Sequence, residues 1–430
     1  MKLLFTFLLS AQYNYGLEVE QHDAKIEGKL NLEANGSSVI IGNDAGINDD
    51  GTNNENVFLG HKAGELNTEG TWNTFIGFAS GFKNTTGDVN TFIGKRAGSA
   101  NVSGDGNVYV GYDAGLSNIQ GGNVFLGTGA GAFSSVGNST FIGTAAGQNT
   151  SGELNTFVGW ISGQFNTLGS ANTYLGVSSG NKNVEGNSNT YIGTNSGANN
   201  EYGSGNTFLG DGTGIGNEGS DNVILGYLAG TNNLFGATAF SGNIFIGSKA
   251  GSEESNSNRL YIENSSSTAP LIYGEFDTNK AGINWDSSVP LPATFAVNGT
   301  ASKTAAGDWL ANSDARLKKN IEYLSSKSML DKVTQMKAVS YEWNDNTTGY
   351  DRPKGLQYGF IAQDLQQVWP ENVIEDTQGY LQTAYGTYDH MYVEAIKELD
   401  KKYEKIKQEN EMLKDELKAI KEMLQTMVSK

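Results

Sequence analysis

The stretch Asn73-Thr74-Phe75-Ile76-Gly77-Phe78-Ala79-Ser80-Gly81-Phe82-Lys83-Asn84-Thr85-Thr86-Gly87 carries the pattern from which the fold is read. An apolar pair precedes Gly77 and a second glycine follows four residues later. The unit recurs thirteen times between Val39 and about Asn258, with its first glycine at 42, 60, 77, 94, 111, 127, 143, 159, 176, 193, 210, 226 and 247. Most spacings are 16 or 17 residues, shorter than any helical repeat and suited to one coil of a β-solenoid. Thr74-Phe75-Ile76 favours extended backbone, because β-branched and aromatic side chains fit a pleated surface. The glycines supply turns that need positive φ or close backbone approach. Proline is absent before Pro270, where it would remove a ladder hydrogen bond from each coil it touched.

Alternation along the strand puts Thr74 and Ile76 on one face and Phe75 on the other. One apolar face can fill the coil interior, and the other then needs a second apolar surface, which a threefold assembly would supply. Asparagine precedes the strand at 56, 73, 90, 107, 123, 155, 172, 189, 206, 222 and 243, a spacing that predicts a hydrogen-bonded ladder from coil to coil. Thirteen coils at about 4.8 Å each give a rod on the order of 60 Å long. The unit resembles the head repeats of trimeric autotransporter adhesins, which form a left-handed β-roll, although those repeats are shorter and less aromatic. The resemblance implies a trimeric β-solenoid or β-roll and leaves the handedness open.

Composition excludes several classes of function. Only 37% of the 430 residues are hydrophobic and 57 are glycine, which speaks against an ordinary globular enzyme core. Before Ser313 there are 12 basic and 27 acidic residues, and from Ser313 onward 17 and 20, so the net charge of -18 lies mostly in the N-terminal part. Such a surface repels nucleic acid and anionic lipid. With no cysteine there is neither a disulfide framework nor a thiolate metal site. His22, His61 and His390 are scattered, so no metal is expected, and nothing points to a cofactor. The carboxylates Asp44, Asp88, Asp105, Asp113, Asp211 and Asp221 do not recur at one place in the unit, so neither a glycosidase pair nor a repeated calcium loop is supported. Tyr112, Trp160 and Tyr227 could stack on sugars, but packing between coils is the expectation. Met1 to Ala11 gives one positive charge and an apolar run too short to span a bilayer, which reads as a secretory signal over residues 1–16. No other segment approaches transmembrane length. Residues 17–38 form a lead into the array at 39–258.

Beyond the array, Leu260-Tyr261-Ile262, Leu271-Ile272-Tyr273 and Phe295-Ala296-Val297, with prolines between them, predict a β connector over 259–312. A lysine-rich segment then opens with Ser313-Asp314-Ala315-Arg316-Leu317-Lys318-Lys319-Asn320. Helices are expected at 328–336 and 363–368, and strands at 339–343 and 358–362. From Ala395 the apolar positions Ile396, Leu399, Tyr403, Ile406, Leu413, Leu417, Ile420, Leu424 and Met427 alternate spacings of three and four, with Asn410 in the one gap. They predict a coiled coil of five heptads, about 50 Å long, over 396–430. Asn410 would fix register and oligomer state. The heptads alone do not separate two strands from three.

Residues 309 to 400 resemble the endosialidase-type intramolecular chaperone, a self-cleaving C-terminal module of phage tailspikes and bacterial fibre proteins. The blocks that carry the resemblance are Trp309, the Ser313–Ile321 stretch, Val339-Ser340-Tyr341-Glu342-Trp343, Gly359-Phe360-Ile361-Ala362-Gln363-Asp364-Leu365, Pro370-Glu371-Asn372-Val373 and Val393-Glu394-Ala395-Ile396-Lys397-Glu398-Leu399. The resemblance implies a small α+β chaperone module over 313–395, a homotrimer, and autoproteolysis of the Asn312-Ser313 bond by a Ser-Lys serine peptidase. Ser313 would be the nucleophile and Lys318 would assist it. A lysine takes a serine proton only when its pKa is depressed by burial or neighbouring positive charge, which Arg316 and Lys319 could supply beside Asp314. A spacing of five does not bring two residues together on a continuous helix, so the dyad needs extended backbone at Ser313 or a partner from another chain. By residues alone, Ser313 and Asp314 would cap a helix and Lys318 would face solvent.

The whole reads as a mainly β, secreted or cell-surface, fibre- or adhesin-like homotrimer whose chaperone drives assembly and then releases itself. A phage tail fibre acting on a surface glycan, and a module kept as a permanent trimeric anchor, are the alternatives. The myelin-factor class of transcription regulators carries the same module, but no DNA-binding domain is visible here.

Overall fold

The computed structural model describes residues 37–231, 239–299, 314–344, 352–376, 379–383 and 388–429. The expected signal at 1–16 and most of the lead at 17–38 lie outside them. The chain divides into two units, residues 1–148 and 149–430, each described by itself.

In the first unit seven three-residue strands, from Val39–Ile41 to Thr140–Ile142, stack in parallel, one per coil. Equivalent residues face each other: Thr74 pairs with Thr91, Phe75 with Phe92 and Ile76 with Ile93. The central side chains Phe58, Phe75, Phe92, Tyr109, Phe125 and Phe141 are fully buried. Their rings lie 4.7 to 5.1 Å apart and 3 to 13° from parallel where the pairs run from Phe58 to Phe141. That separation is the spacing of hydrogen-bonded strands, so the ladder dictates the ring stack. Behind each ring only a small residue fits, Ala63, Ser80, Ala97, Ala114, Ala130 or Ala146, all buried. The interior is one aromatic ring thick.

This thinness explains both glycines of the unit. A Cβ on Gly77, at φ +131°, would sit 2.6 Å from the Gly94 carbonyl oxygen of the next coil, and one on Gly81 would sit 2.6 Å from the coil's own Phe75 ring. It also explains the asparagines, which are buried and serve backbone groups that water cannot reach. Asn90 Oδ1 accepts from the Asn107 backbone N–H at 2.9 Å, and Asn90 Nδ2 donates to the Gly104 carbonyl at 2.8 Å. The same pattern links Asn56 to Asn73 and Asn73 to Asn90. The ladder therefore runs mainly from side chain to backbone. A second one, not anticipated from sequence, runs directly between side chains: Asn84 Nδ2 donates to Asn67 Oδ1 at 2.8 Å and Asn101 Nδ2 to Asn84 Oδ1 at 2.9 Å.

The second unit continues the scheme with parallel strands from Thr156–Val158 to Ile244–Ile246. Phe157, Tyr174, Tyr191 and Phe208 stack at 4.7 to 4.9 Å. Strand β1 (Arg259–Ile262) adds one more parallel rung. The direction then reverses, for β2 (Ile272–Glu275) pairs antiparallel with β1 and with β3 (Lys280–Ile283), and β4 (Phe295–Val297) runs parallel to β3. At this end the rings turn edge-on, Phe245 to Tyr261 at 85° and Tyr261 to Tyr273 at 80°. Buried Glu254 accepts from the Ser255 and Asn256 amides and from the Tyr261 hydroxyl, closing the open backbone of the last turn.

The C-terminal part is a small α+β module followed by a long helix. It contains α1 (Ser326–Val333), β5 (Ala338–Tyr341), β6 (Gln357–Phe360), α2 (Ala362–Val368), β7 (Val373–Glu375), β8 (Leu381–Thr383) and α3 (Asp389–Val428). Helix α1 begins two residues before its sequence expectation, because Ser325 caps it by accepting from the Ser328 amide. The antiparallel β7–β8 pair was not expected. Helix α3 starts at Asp389, before the first heptad residue, because its first turns belong to the module core: Met391 packs with Met329, Leu365, Trp369 and Tyr388.

Two outcomes follow for the array. Asn90→Ala leaves the buried Asn107 N–H unpaired, while the Gly104 carbonyl keeps its bond from Asn101 Nδ2, and should cost about 1–3 kcal/mol, seen as lost hydrogen-exchange protection in the neighbouring coils; protection equal to wild type would show the ladder to be dispensable. Burial pushes the Tyr109, Tyr174 and Tyr191 hydroxyls above their ordinary pKa, and the side chains of Asn123, Asn189 and Asn206 offset it only in part. A folded-state pKa above the unfolded value near 10 means this contribution is intact below about pH 10 and lost as pH rises beyond it. The triple Tyr→Phe variant should unfold at higher pH than wild type in an alkaline titration followed by circular dichroism.

Candidate processing site and assembly helix

The expected cleavage bond is placed only from its C-terminal side, since Asn312 and Ser313 lie outside the described residues. Asp314 follows in extended conformation and caps a single 3-10 turn, Ala315–Leu317. Its carboxylate accepts from the Arg316 amide at 2.8 Å and from Arg316 Nη2 at 2.7 Å. The Arg316 guanidinium holds the Asp314 carboxyl below its ordinary range, and Asp314 raises Arg316 in turn. Arg316 is thus committed to Asp314 and is not a spare charge beside Lys318. Lys318 closes the turn, its N–H donating to the Ala315 carbonyl, and returns to extended backbone at φ -117°, ψ 145°. Lys318 and Lys319 are both exposed. The turn is a short segment between extended residues and does not begin a long helix.

Behind it, the module core is small and aromatic. Trp369 is 1% exposed and sits in a cluster with Met329, Leu365, Tyr388 and Met391, with Val333, Met336, Phe360, Val373 and Tyr392 packed around it. Lys332 Nζ lies 5.0 Å from the Trp369 ring centre and 3.4 Å from Glu371. Helix α1 is tied to α3 by the Ser326 hydroxyl donating to Glu394 Oε2 at 2.6 Å; Lys397 and then Ser326 hold the Glu394 carboxyl below its ordinary range. No sequence pattern signals this link, because the partners stand 68 positions apart.

Helix α3 runs 40 residues, about 60 Å. Its heptad positions are bare in the single chain: Ile396, Leu399, Tyr403, Ile406, Leu413, Leu417, Ile420, Leu424 and Met427 are each more than half exposed. Ion pairs Glu394–Lys397, Glu404–Lys407 and Glu411–Lys414 decorate other positions of the helix. No helix among the described residues is long and apolar enough to cross a membrane. The described residues hold no cluster of His, Asp and Glu able to take a metal ion.

The aromatic residues singled out as sugar stackers or inter-coil packing are on the outside. Tyr112, Trp160 and Tyr227 are 46%, 55% and 53% exposed, so each turns one side to solvent. Tyr112 does carry cations of the preceding coil, with Lys95 Nζ 5.5 Å from its ring centre and Arg96 donating to its hydroxyl.

Residues 313–374 match the family described as chaperone of endosialidase. The match opens on Ser313 and ends inside β7, so it covers the 3-10 turn, α1, β5, β6 and α2. The chain thus carries a chaperone-of-endosialidase domain preceded by a β-solenoid repeat array. No curated protein matches the chain.

Trp369→Ala empties the centre of the module and should destabilise it by about 3–5 kcal/mol. Hydrogen exchange should show α1 and the first turns of α3 losing protection while residues 39–258 keep theirs; unchanged protection in α1 would contradict this account of the core.

Proposed function

We propose that this chain is a secreted or surface fibre-like homotrimer whose C-terminal module acts as an intramolecular chaperone and then cuts itself free at Asn312-Ser313. The observation that carries the reading is the family match beginning on Ser313, where the glycine-rich array has ended and an unpartnered heptad helix is about to follow. The exposed α3 seam supports a coiled coil with two further copies, since its row of half-exposed isoleucine and leucine is not covered by any of the described residues.

The chemistry of release is an acyl shift followed by hydrolysis. Ser313 Oγ adds to the Asn312 carbonyl carbon while Lys318, as a free amine, takes the hydroxyl proton. The carbon–nitrogen bond then breaks, the Ser313 amine leaves with a proton, and water hydrolyses the resulting ester to a carboxylate on Asn312. Because Asp314 occupies Arg316, depression of the Lys318 pKa falls to Lys319 and to groups brought up by neighbouring chains in the trimer. Cleavage would thereby wait on assembly, and loss of the chaperone would leave the fibre held by a kinetic barrier.

A permanent, uncleaved anchor is the second reading, favoured by the exposed position of Lys318 in the single chain. A phage tail fibre or tailspike is the alternative setting, and a cell-surface glycan is a fitting ligand class for the outward aromatics of the array. Intact mass of the purified chain decides between cleavage and anchor. Wild type should split after Asn312, releasing residues 313–430, while Ser313→Ala stays whole and Lys318→Ala slows cleavage by about 100-fold or more. If wild type remains whole and sediments as a trimer, the module is an anchor and the Ser-Lys reading fails.

A further inference from the structure

We propose that three copies of this chain meet on the strand face of the array, coil against equal coil, with the residue two places before a strand set beside the residue two places after the same strand of a neighbouring copy. This rests on the homotrimer proposed above and adds the face, the register and the paired residues.

The centre of that face carries no charge. The third residue of all thirteen array strands is Ile, Leu or Val, and the first is Val, Thr or Ile, in a chain that is 18% charged with a net charge of -18. These side chains point away from the ring stack, and Leu59, Leu175 and Leu209 are 43%, 46% and 47% exposed. Such a stripe, repeated on every coil, fits a partner with the same repeat better than a ligand bound at one place.

The edges of the face are held at a cost. Trp72, Val89 and Leu154, each two places before a strand, have φ of 58°, 58° and 61°, a left-handed conformation that bulky L residues adopt with strain. Gly106, Gly122 and Gly205 occupy the same place without that penalty. Yet Trp72 and Leu154 are each 61% exposed. Trp72 Nε1 does donate to Glu55 Oε2 of the preceding coil at 3.0 Å, but one exposed hydrogen bond does not offset a large apolar group on a strained backbone facing water; a partner surface does.

The two edges match in kind on several coils, while others set Val89 against Lys95 and Asp221 against Tyr227. Trp72 precedes the strand whose far edge is Phe78, Leu154 answers Trp160, Ser188 answers Thr194, and Glu55 answers His61; no coil carries like charges on both edges. Six residues of extended chain separate the members of each pair by about 20 Å, so they do not touch within one copy. Symmetry brings them together. Strands lie across the solenoid axis, and a threefold axis parallel to it, outside the coil, makes the strands of all copies circulate in one sense. The end of one strand therefore meets the beginning of its neighbour's, and only zero axial shift sets Trp72 against Phe78.

The chain has no cysteine, so Ser188→Cys with Thr194→Cys in the full-length protein reports this contact directly. The two positions are too far apart within a copy to form a disulfide. Under mild oxidation the double variant should run as covalent trimers on a non-reducing denaturing gel. Each single variant, and the slipped pair Ser188→Cys with Asp211→Cys, should remain at least tenfold less cross-linked. Light scattering on the reduced protein separates the ways of failing. A native trimer without cross-links overturns the face and leaves the homotrimer standing; a monomer overturns both; covalent dimers alone overturn threefold packing in favour of two faces meeting about a twofold axis.

Discussion

A coil of 16 or 17 residues wrapped around one aromatic ring is the constraint from which the rest of the array follows. The hydrogen-bonded ladder sets rungs about 4.8 Å apart, and a stacked ring needs nearly the same distance. Phe75 and Phe92 therefore satisfy backbone and side-chain spacing at once, 4.9 Å apart and 7° from parallel. With the ring filling the lumen, only Ala, Ser or, in one coil, Thr213 sits behind it and no side chain is tolerated at Gly81. Because water is excluded too, each orphan amide and carbonyl of the turns must find a partner inside the protein. Asn73, Asn90 and Asn107 supply it, and they do so between coils, so the groups that satisfy the backbone also lock the register.

Such an array has no three-dimensional core to share strain. Each coil is supported by the coils beside it, and the column is as cooperative as its neighbour contacts. Its ends are the vulnerable places. The C-terminal end shows how closure is made: the ring stack turns edge-on at Tyr261 and Tyr273, buried Glu254 takes up the last free amides, and the strand direction reverses from β1 to β2. The coil pattern ends at this reversal, although β4 still pairs parallel to β3.

Much of this was legible in the amino-acid sequence, and the misses have physical causes. The Thr-Phe-Ile strand and its two glycines could be read because each position has a single steric solution that every coil repeats. The Asn67–Asn84–Asn101 ladder was missed although it recurs three places after the second glycine, because Ser134 and Thr150 interrupt the column later on; a short polar side chain can take the site at a cost too small to enforce asparagine. The helical turns of α3 before the heptads could not be read from periodicity, because Tyr388 and Met391 bury against Trp369 and not along the heptad seam. Periodicity detects a seam, but it does not detect the turn of helix that is packed by its own domain. The Ser326–Glu394 link could not be read at all, being a meeting of surfaces folded from distant segments.

The same contrast in contact range bears on why an assembly helix should stand at the C-terminal side of a solenoid. Every rung of the array is bonded to one about 17 residues away, and a three-residue strand has no stability before its neighbour is in place. The first coil to form therefore carries the loop-closure cost without the stacking that offsets it. Helix α3 has the opposite character: its bonds are local and its ion pairs lie three residues apart, and in the proposed trimer its seam would recruit identical chains before any rung exists. Once three seams are joined, the connector rungs β1 to β4 lie next in sequence, at high local concentration and equal height in each chain. The array can then grow coil by coil away from its closed end, each new ring adding to a stack already in register. Proposed this way, the chaperone is needed only for the first rungs, which is why its removal afterward would not release the fibre.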